Sequence, residues 1–387
     1  MRRILFLLSR FLDGGIDMVL IDYLRQLASC ADYEIALAIS TKMDELEVFA
    51  GAIPPNVKVC HLVSQPLLTR WRKQKIVSHL PLHVKLFDEL LLSPVRRAII
   101  SRRLHALASQ YDVVIDFDCC HYSYLADIPV KKIAWYHFSF QHMMEHHARH
   151  TRRIGKRLAC YDHIVVISRA MQEEGEALFP WLAGKWQLIY NAKDEQLLAQ
   201  KAAAPVANSL INQPYILAIE RLEESQKDLT TLLHAYHLLK RQHAVKEKLY
   251  LLGKGRDEGM LRQLASRLGI DNDVCFLGFE SNPYPWIRHA ALIAHSAKME
   301  GLPTVLIESL VMGKLIVSTD CPTGPREILD NGKAGLLTPV GDAPALADAM
   351  YRLLSDPALQ QDVLRHAARH KDNFLFTTTL QRFKELL

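Results

Sequence analysis

Short apolar runs rich in Val, Ile, Leu and aromatic residues alternate along the chain with segments of helical patterning. Unbroken apolar runs of this length read as strands covered on both faces, and apolar residues spaced three and four apart read as helices. The pattern predicts strands near Arg3–Ser9, Glu34–Ser40, Val57–Leu62, Asp112–Phe117, Ile133–His137, His163–Ser168 and Trp186–Tyr190. A second series follows at Tyr215–Ile219, Lys248–Leu252, Val274–Leu277, Ala291–His295 and Leu315–Ser318. Alternation from end to end predicts an α/β fold of parallel sheets with crossover helices. The stretch from Lys201-Ala-Ala-Ala-Pro205 to Asn212-Gln-Pro214 has no clear period and reads as a linker. With 387 residues, the chain suits two doubly wound domains, 1–200 and 205–371, each offering the carboxyl ends of its strands to a shared cleft.

The polar residues at those strand ends carry the candidate chemistry. Glu300 and Glu308 flank the start of a helix predicted over Thr304–Gly313, with Gly301-Leu302-Pro303 between the first carboxylate and the helix. Pro303 suits a first helical position, and the free N–H groups there face an anion such as a diphosphate. Glu308 could accept both hydroxyls of a ribose, and Glu300 sugar hydroxyls. An ordinary helix with one exposed acid fits the same spacing. Arg221 follows a predicted strand and Lys227 opens the next helix, so the two could converge on one diphosphate or be a pair of surface cations. Gly14-Gly15 lets backbone approach a ligand closely, but Leu12-Asp13-Gly14-Gly15-Ile16-Asp17 is not the G-x-G-x-x-G of a dinucleotide site. Gly253-Lys254-Gly255 lacks the rest of a P-loop, while Gly324 and the helix start after it could add amides to a phosphate cradle. His137 ends an apolar strand and points toward the cleft. His142, His146 and His150 recur four apart, but Arg149, Arg152 and Arg153 beside them would repel a cation, so no zinc site is expected.

Charge narrows the partners. The net charge is +5, yet Ser64–Gln110 holds nine Lys or Arg against two acids and Lys131–Arg157 seven against one. Such density favours an anionic surface, whether phospholipid, an anionic acceptor or nucleic acid. The chain lacks the patterns of an RRM, a KH loop or a zinc finger, which disfavours nucleic acid. Seven cysteines without a C-x-x-C pair suggest a reduced, cytoplasmic protein. No window reaches the ~18 apolar residues of a spanning helix, and the run after Arg2-Arg3 reads as a first strand and not as a signal peptide.

Taken in order, Gly14-Gly15, His137, Ser168, Tyr190-Asn191, Arg221 with Lys227, Gly253-x-Gly255, Glu300-Gly-Leu-Pro with Glu308, and Gly324-Pro-Arg-Glu327 resemble the retaining GT-B glycosyltransferases of family 4, the group 1 glycosyl transferases. The resemblance covers nearly the whole chain. It implies a GT-B fold of two Rossmann-like domains, with a last helix over 372–387 returning to the first. It further implies that Arg221 and Lys227 bind the donor diphosphate, that Glu300 with the amides of Gly301, Leu302, Pro303 and Thr304 holds the sugar, and that Glu308 binds the ribose. Pro303 itself has no N–H and contributes position only. His137 corresponds to a histidine contacting the donor sugar, and Gly14 and Gly15 border the diphosphate; many relatives carry Glu where this chain has Asp17. The implied activity is transfer of a hexose-type sugar from a nucleotide-sugar, UDP-linked, to a lipid-linked or phosphorylated glycan in lipopolysaccharide, O-antigen or capsule assembly. No cofactor or metal is implied, and the basic first domain suggests a peripheral position at the inner membrane face. An epimerase or phosphorylase on the same scaffold, or a non-catalytic assembly partner, are the alternatives.

Overall fold

The computed structural model describes residues 1–12 and 14–387, with the side chains of 142 and 145–150 outside the description. The histidine spacing at His142, His146 and His150 therefore lies outside the described side chains, as does Asp13. The chain forms two compact units. One comprises Met1–Ile167, Gln172–Ile189 and Phe383–Leu387, the other Ser168–Met171 and Tyr190–Arg382. The division falls at Ile189 and not at 200, and Phe383–Leu387 of the final helix groups with the first unit, whereas the earlier part of 372–387 groups with the second.

The first unit is built on β1 (Arg2–Leu8), β2 (Tyr33–Thr41), β3 (Lys58–Val63), β4 (Val113–Asp116), β5 (Lys131–Tyr136), β6 (His163–Val166) and β7 (Trp186–Leu188), all parallel, in the order β3-β2-β1-β4-β5-β6-β7. Its central strand β1 buries Ile4 to Leu8 without a break. An unbroken apolar run is what a strand covered on both faces requires, which is why the pattern was legible there. Between β1 and the helix Gly15–Ala28, the Asp17 carboxylate accepts the Gly14 N–H at 2.9 Å and the Leu12 N–H at 3.1 Å, closing the turn onto the helix N-terminus. Asp17 thus has a local structural task that a carboxylate one methylene shorter than Glu performs well.

The second unit holds β8 (Tyr215–Ile219), β9 (Lys248–Leu252), β10 (Val274–Gly278), β11 (Leu292–His295), β12 (Ile316–Thr319) and β13 (Leu336–Thr338), parallel and ordered β10-β9-β8-β11-β12-β13. The strand β13 was not expected. It has three residues paired with β12, too few to show a period. In this order successive strands are added outward in opposite directions from β8 and β11, which makes the gap between those two parallel strands the switch point at which doubly wound sheets open a crevice. A core of Ile216, Ala218, Leu229, Leu232, Leu292 and Met350 takes in side chains of both strands and packs them against the flanking helices. Among the described residues no helix is long and apolar enough to cross a membrane.

Candidate functional site

Two loops leave the switch point of the second unit, one after β8 and one after β11. The first is pinned by close backbone packing. A Cβ on Gly253, at φ +147°, would lie 2.0 Å from the Glu220 carbonyl oxygen, and one on Gly255 would lie 2.2 Å from that of Leu222. Only glycine allows this approach, so the Gly-Lys-Gly element acts here as a brace for the loop carrying Arg221. The loop then makes the short helical turn Glu224–Lys227, anchored by the Glu224 N–H on Asp257 at 2.8 Å. Lys227 closes this turn and does not open the next helix, because Asp228 takes a left-handed conformation and Leu229 starts the new helix. Ser296 donates to the Lys227 carbonyl at 2.9 Å, tying the two loops together.

Lys227 is thereby brought to Glu300, and the two side chains form a largely buried ion pair. Burial alone would raise the Glu300 carboxyl, but the Lys227 ammonium and His295 beside it outweigh that and hold it at about 2. Burial likewise opposes charge on Lys227, and the Glu300 and Glu220 carboxylates override it and raise its pKa. His295, which ends β11, lies 3.5 Å from Glu300 and 3.8 Å from Glu220 through the same Nε2 atom. Among the described residues neither oxygen of the buried Glu220 carboxylate has a well-formed hydrogen bond, and burial pushes its pKa up, opposed in part by His295, Lys227 and the nearby Ser296 N–H. Arg221 is placed differently. Its side chain is 62% exposed and meets Glu223 at 3.5 Å, and among the described residues no contact joins it to Lys227 or Glu300.

The Glu300-Gly-Leu-Pro segment is clamped by the loop after β12. The Glu300 N–H donates to the Pro322 carbonyl at 2.8 Å, and Thr323 Oγ1 donates to the Gly301 carbonyl at 2.7 Å. The helix runs from Thr304 to Val311 with Pro303 as its N-cap, one position outside the place expected for it. No described residue accepts from the N–H groups of Gly301, Leu302, Thr304 or Val305. Four donors thus converge at a helix N-terminus beside the Lys227–Glu300 pair, an arrangement suited to anionic oxygens. Glu308 is not the exposed acid of the ordinary-helix alternative. It is buried, and its Oε1 accepts from Lys193 at 2.8 Å and from the Tyr284 hydroxyl at 3.2 Å.

In the first unit, Gly14 and Gly15 start the helix after β1, and a Cβ on Gly14 would come 3.2 Å from Asp17. His137 lies just past β5, buried, with Nε2 on the Phe117 carbonyl at 2.7 Å and its ring stacked on Trp135. Burial, only partly offset by that carbonyl, lowers its pKa to about 4, so the ring is neutral at physiological pH. Asp116, Asp118 and His121 lie close enough together to hold a cation. Asp116, however, already accepts from His121 at 2.8 Å and from Tyr161 at 2.5 Å, and His121 bonds Ser40 at 2.7 Å, whereas Asp118 accepts the Ser9 N–H at 2.8 Å through one oxygen and its other, buried oxygen has no hydrogen-bond partner among the described residues.

Three residues of the second unit were not anticipated as site residues: Glu220, His295 and Lys193. A signal existed for the first two, since each is a polar residue directly at the end of an apolar strand flanking the switch point. Lys193 carries none, because its partner is more than a hundred residues away.

Residues 213–356 match the family described as Glycosyl transferases group 1. They form a group 1 glycosyltransferase domain. This glycosyltransferase domain contains Glu220, Arg221, Lys227, His295, Glu300 and Glu308. The chain is 32% identical over 187 residues to the N-acetylgalactosamine-N,N'-diacetylbacillosaminyl-diphospho-undecaprenol 4-alpha-N-acetylgalactosaminyltransferase of Campylobacter jejuni, covering 48% of each chain. It thus spans about half the length of that relative. It is 25% identical to the lipopolysaccharide 1,6-galactosyltransferase of Escherichia coli, over 70% of this chain and 73% of that one. The structure resembles that of Anabaena HepE in complex with UDP and glucose, with a TM-score of 0.76 and 19% identity over 100% of this chain and 99% of that one. The fold is therefore GT-B, with the glycosyltransferase domain as its second half.

Proposed function

We propose that this protein is a retaining glycosyltransferase that moves a hexose-type sugar from a UDP-sugar to a lipid-linked or phosphorylated glycan in cell-surface polysaccharide assembly. The observation that carries this reading is the set of four open N–H groups from Gly301 to Val305 beside the Lys227–Glu300 pair. They provide fixed dipoles where a diphosphate leaving group gathers charge, and fixed dipoles need no reorganisation as the bond breaks. In this reading Lys227 and Arg221 neutralise the diphosphate, the latter by swinging from its exposed position. Glu300 and the adjoining amides hold the sugar, and Glu308 accepts from the ribose. The bond from the anomeric carbon to the phosphate oxygen breaks and the acceptor hydroxyl bonds to the same face, its proton passing to the departing phosphate. No protein nucleophile and no metal takes part.

The names of the relatives support a lipid-linked or lipopolysaccharide acceptor, and the HepE complex supports a UDP donor. A cytoplasmic protein lying at the inner membrane face fits such an acceptor. The test is a thermal-shift panel of UDP-, GDP- and ADP-sugars, then product analysis with the donor that stabilises most. A UDP-sugar is expected to stabilise most, and the product to keep the donor's anomeric configuration by NMR. Inverted product, or conversion of the donor without any acceptor, would refute the reading.

A further inference from the structure

Among the described residues, seventeen large apolar side chains are exposed, and nine of them fall between Leu67 and Val95 of the first unit. Most of these nine belong to one continuous helical rod made of Leu82–Phe87, a π-helical turn Asp88–Leu92 and Ser93–Ala108. Two rows four residues apart run along it, Leu82, Leu86 and Leu90 beside Phe87, Leu91 and Val95. All six are exposed, Leu82 by 71% and Leu90 by 69%. The π turn aligns them. Its i→i+5 bonding makes a wider turn than the α-helix, so side chains four apart drift less around the axis.

The rod is not loosely attached. Arg96, buried, bonds both carboxylate oxygens of the buried Asp88, at 2.6 and 2.8 Å, and donates to the Leu68 carbonyl at 3.0 Å. That clamp locks the π turn to the neighbouring helix Pro66–Val77 and leaves the apolar rows facing outward. The polar company is cationic. Arg70, Lys75, Lys85, Arg97 and Arg102 are exposed, and Glu89 is the exposed acid of Ser64–Gln110, Asp88 being spent on Arg96. A groove of about 590 Å³ beside Pro66–Val77 is lined by Leu46, Leu67 and Val77 together with Arg70, Lys73 and Glu45, and Lys73 is paired with Asp44 at 2.7 Å, which among the described residues leaves Arg70 as its unneutralised cation.

We propose that this rod is a membrane-docking face, its apolar rows entering the headgroup–acyl boundary of an anionic bilayer while the flanking cations meet lipid phosphates. An apolar stripe with a basic margin is what an interfacial helix needs, since apolar burial and attraction to anionic lipid add. Charge selects the occupant. A second copy of the chain would bring like cations together, whereas anionic lipid neutralises them. The inference rests on the proposed function only in placing the acceptor at a membrane.

The test is co-sedimentation of the full chain with vesicles of phosphatidylcholine alone or mixed with phosphatidylglycerol, at low salt. The wild type is expected to bind the anionic vesicles at least about tenfold more strongly than the neutral ones. The triple variant Leu86→Ser, Leu90→Ser, Leu91→Ser is expected to lose at least about tenfold of that binding with an unchanged melting temperature, because all three side chains are exposed. The charge variant Lys85→Glu with Arg97→Glu is expected to lose the preference for anionic lipid. Wild-type binding no stronger than to neutral vesicles, or a triple variant that binds normally, would overturn the proposal. So would a concentration-dependent dimer that the triple variant abolishes. The melting-temperature shift given by the best nucleotide-sugar, measured on the same variants, separates the two readings. A retained shift with no vesicle binding defeats the docking face alone, and the absence of any shift in the wild type counts against the transferase.

Discussion

Glu220 faces His295 at 3.8 Å across the β8–β11 switch point, with no well-formed hydrogen bond to either of its carboxylate oxygens among the described residues. Ser318 spends its hydroxyl hydrogen on the Thr319 carbonyl at 2.9 Å, so His295 Nδ1, 3.0 Å away, must be the donor to Ser318 Oγ. Nε2 then points at two carboxylates, Glu220 and Glu300. A bare lone pair there meets negative charge on both carboxylates, and burial raises the Glu220 carboxyl toward its protonated form. The other charged or titratable groups near it are Lys227, on Glu300, and the Cys321 thiol, which burial raises. A carboxyl whose native pKa lies above its unfolded value gives stability that is complete below the unfolded value, here 4.5, and is lost as pH rises through the native one. Glutamine loses nothing over that range. Glu220→Gln is expected to match or fall below the wild type in melting temperature at about pH 4 and to exceed it at about pH 8. A deficit that is the same at every pH would remove the buried proton from the account.

Lys227→Ala is expected to lower turnover at least about a hundredfold, the loss typical of one preorganised donor at a developing charge. Steady-state rates of transfer on the purified variant, with its fold verified by thermal melting, make the measurement. Near-normal turnover would place Lys227 outside the chemistry and leave its pairing with Glu300 as architecture.

Lys193 and Glu308 form a buried pair, with Lys193 only 1% exposed. Removing one partner of such a pair strands the other charge, at a cost of about 3–5 kcal/mol. Lys193→Met should therefore destabilise by about that amount in urea unfolding, and the double variant Lys193→Met, Glu308→Leu should recover most of it. Donor affinity should fall in the double variant even where stability returns, since the ribose acceptor has gone. Restored stability with intact donor binding would assign Glu308 to the fold alone.

Gly253→Ala is expected to cost at least about 2 kcal/mol, combining an unfavourable backbone conformation with a clash that only main-chain movement relieves. The clash is with the Glu220 carbonyl oxygen, 2.0 Å from the new Cβ, so donor affinity should fall along with stability. Chemical denaturation and donor titration on one preparation check both. A variant as stable as the wild type would show that the Glu220 loop yields freely.

Strands were legible wherever a run is buried on both faces. Tyr215–Ile219 and Lys248–Leu252 fall where their apolar patterns place them, because nothing but backbone pairing competes there. The three-residue β13 was not legible, since its position is set by hydrogen bonds to β12 rather than by any period. At the site, spacing brought out Glu300 and Glu308 because both act through one helix start. It was silent about what each would hold. The Lys227–Glu300 and Lys193–Glu308 pairs span 73 and more than a hundred residues, and the partner of a buried charge is chosen by three-dimensional packing. The same limit applies to the rod at Leu82–Val95. The basic run was visible as composition, but outward-facing apolar rows cannot be told from a core stripe before burial is known.

The ring of Phe383 packs against Tyr23 and Trp135, with centroids 5.3 and 5.2 Å away, inside a unit whose sheet is otherwise complete at β7. During synthesis that sheet is fully translated roughly two hundred residues before its last aromatic contact exists, and domains generally fold as they emerge. The first half to be made is thus the last to be finished. Until then Tyr23 and Trp135 lack that contact, and a chain cut short before residue 383 would keep every strand of both sheets yet lack this piece of the first core.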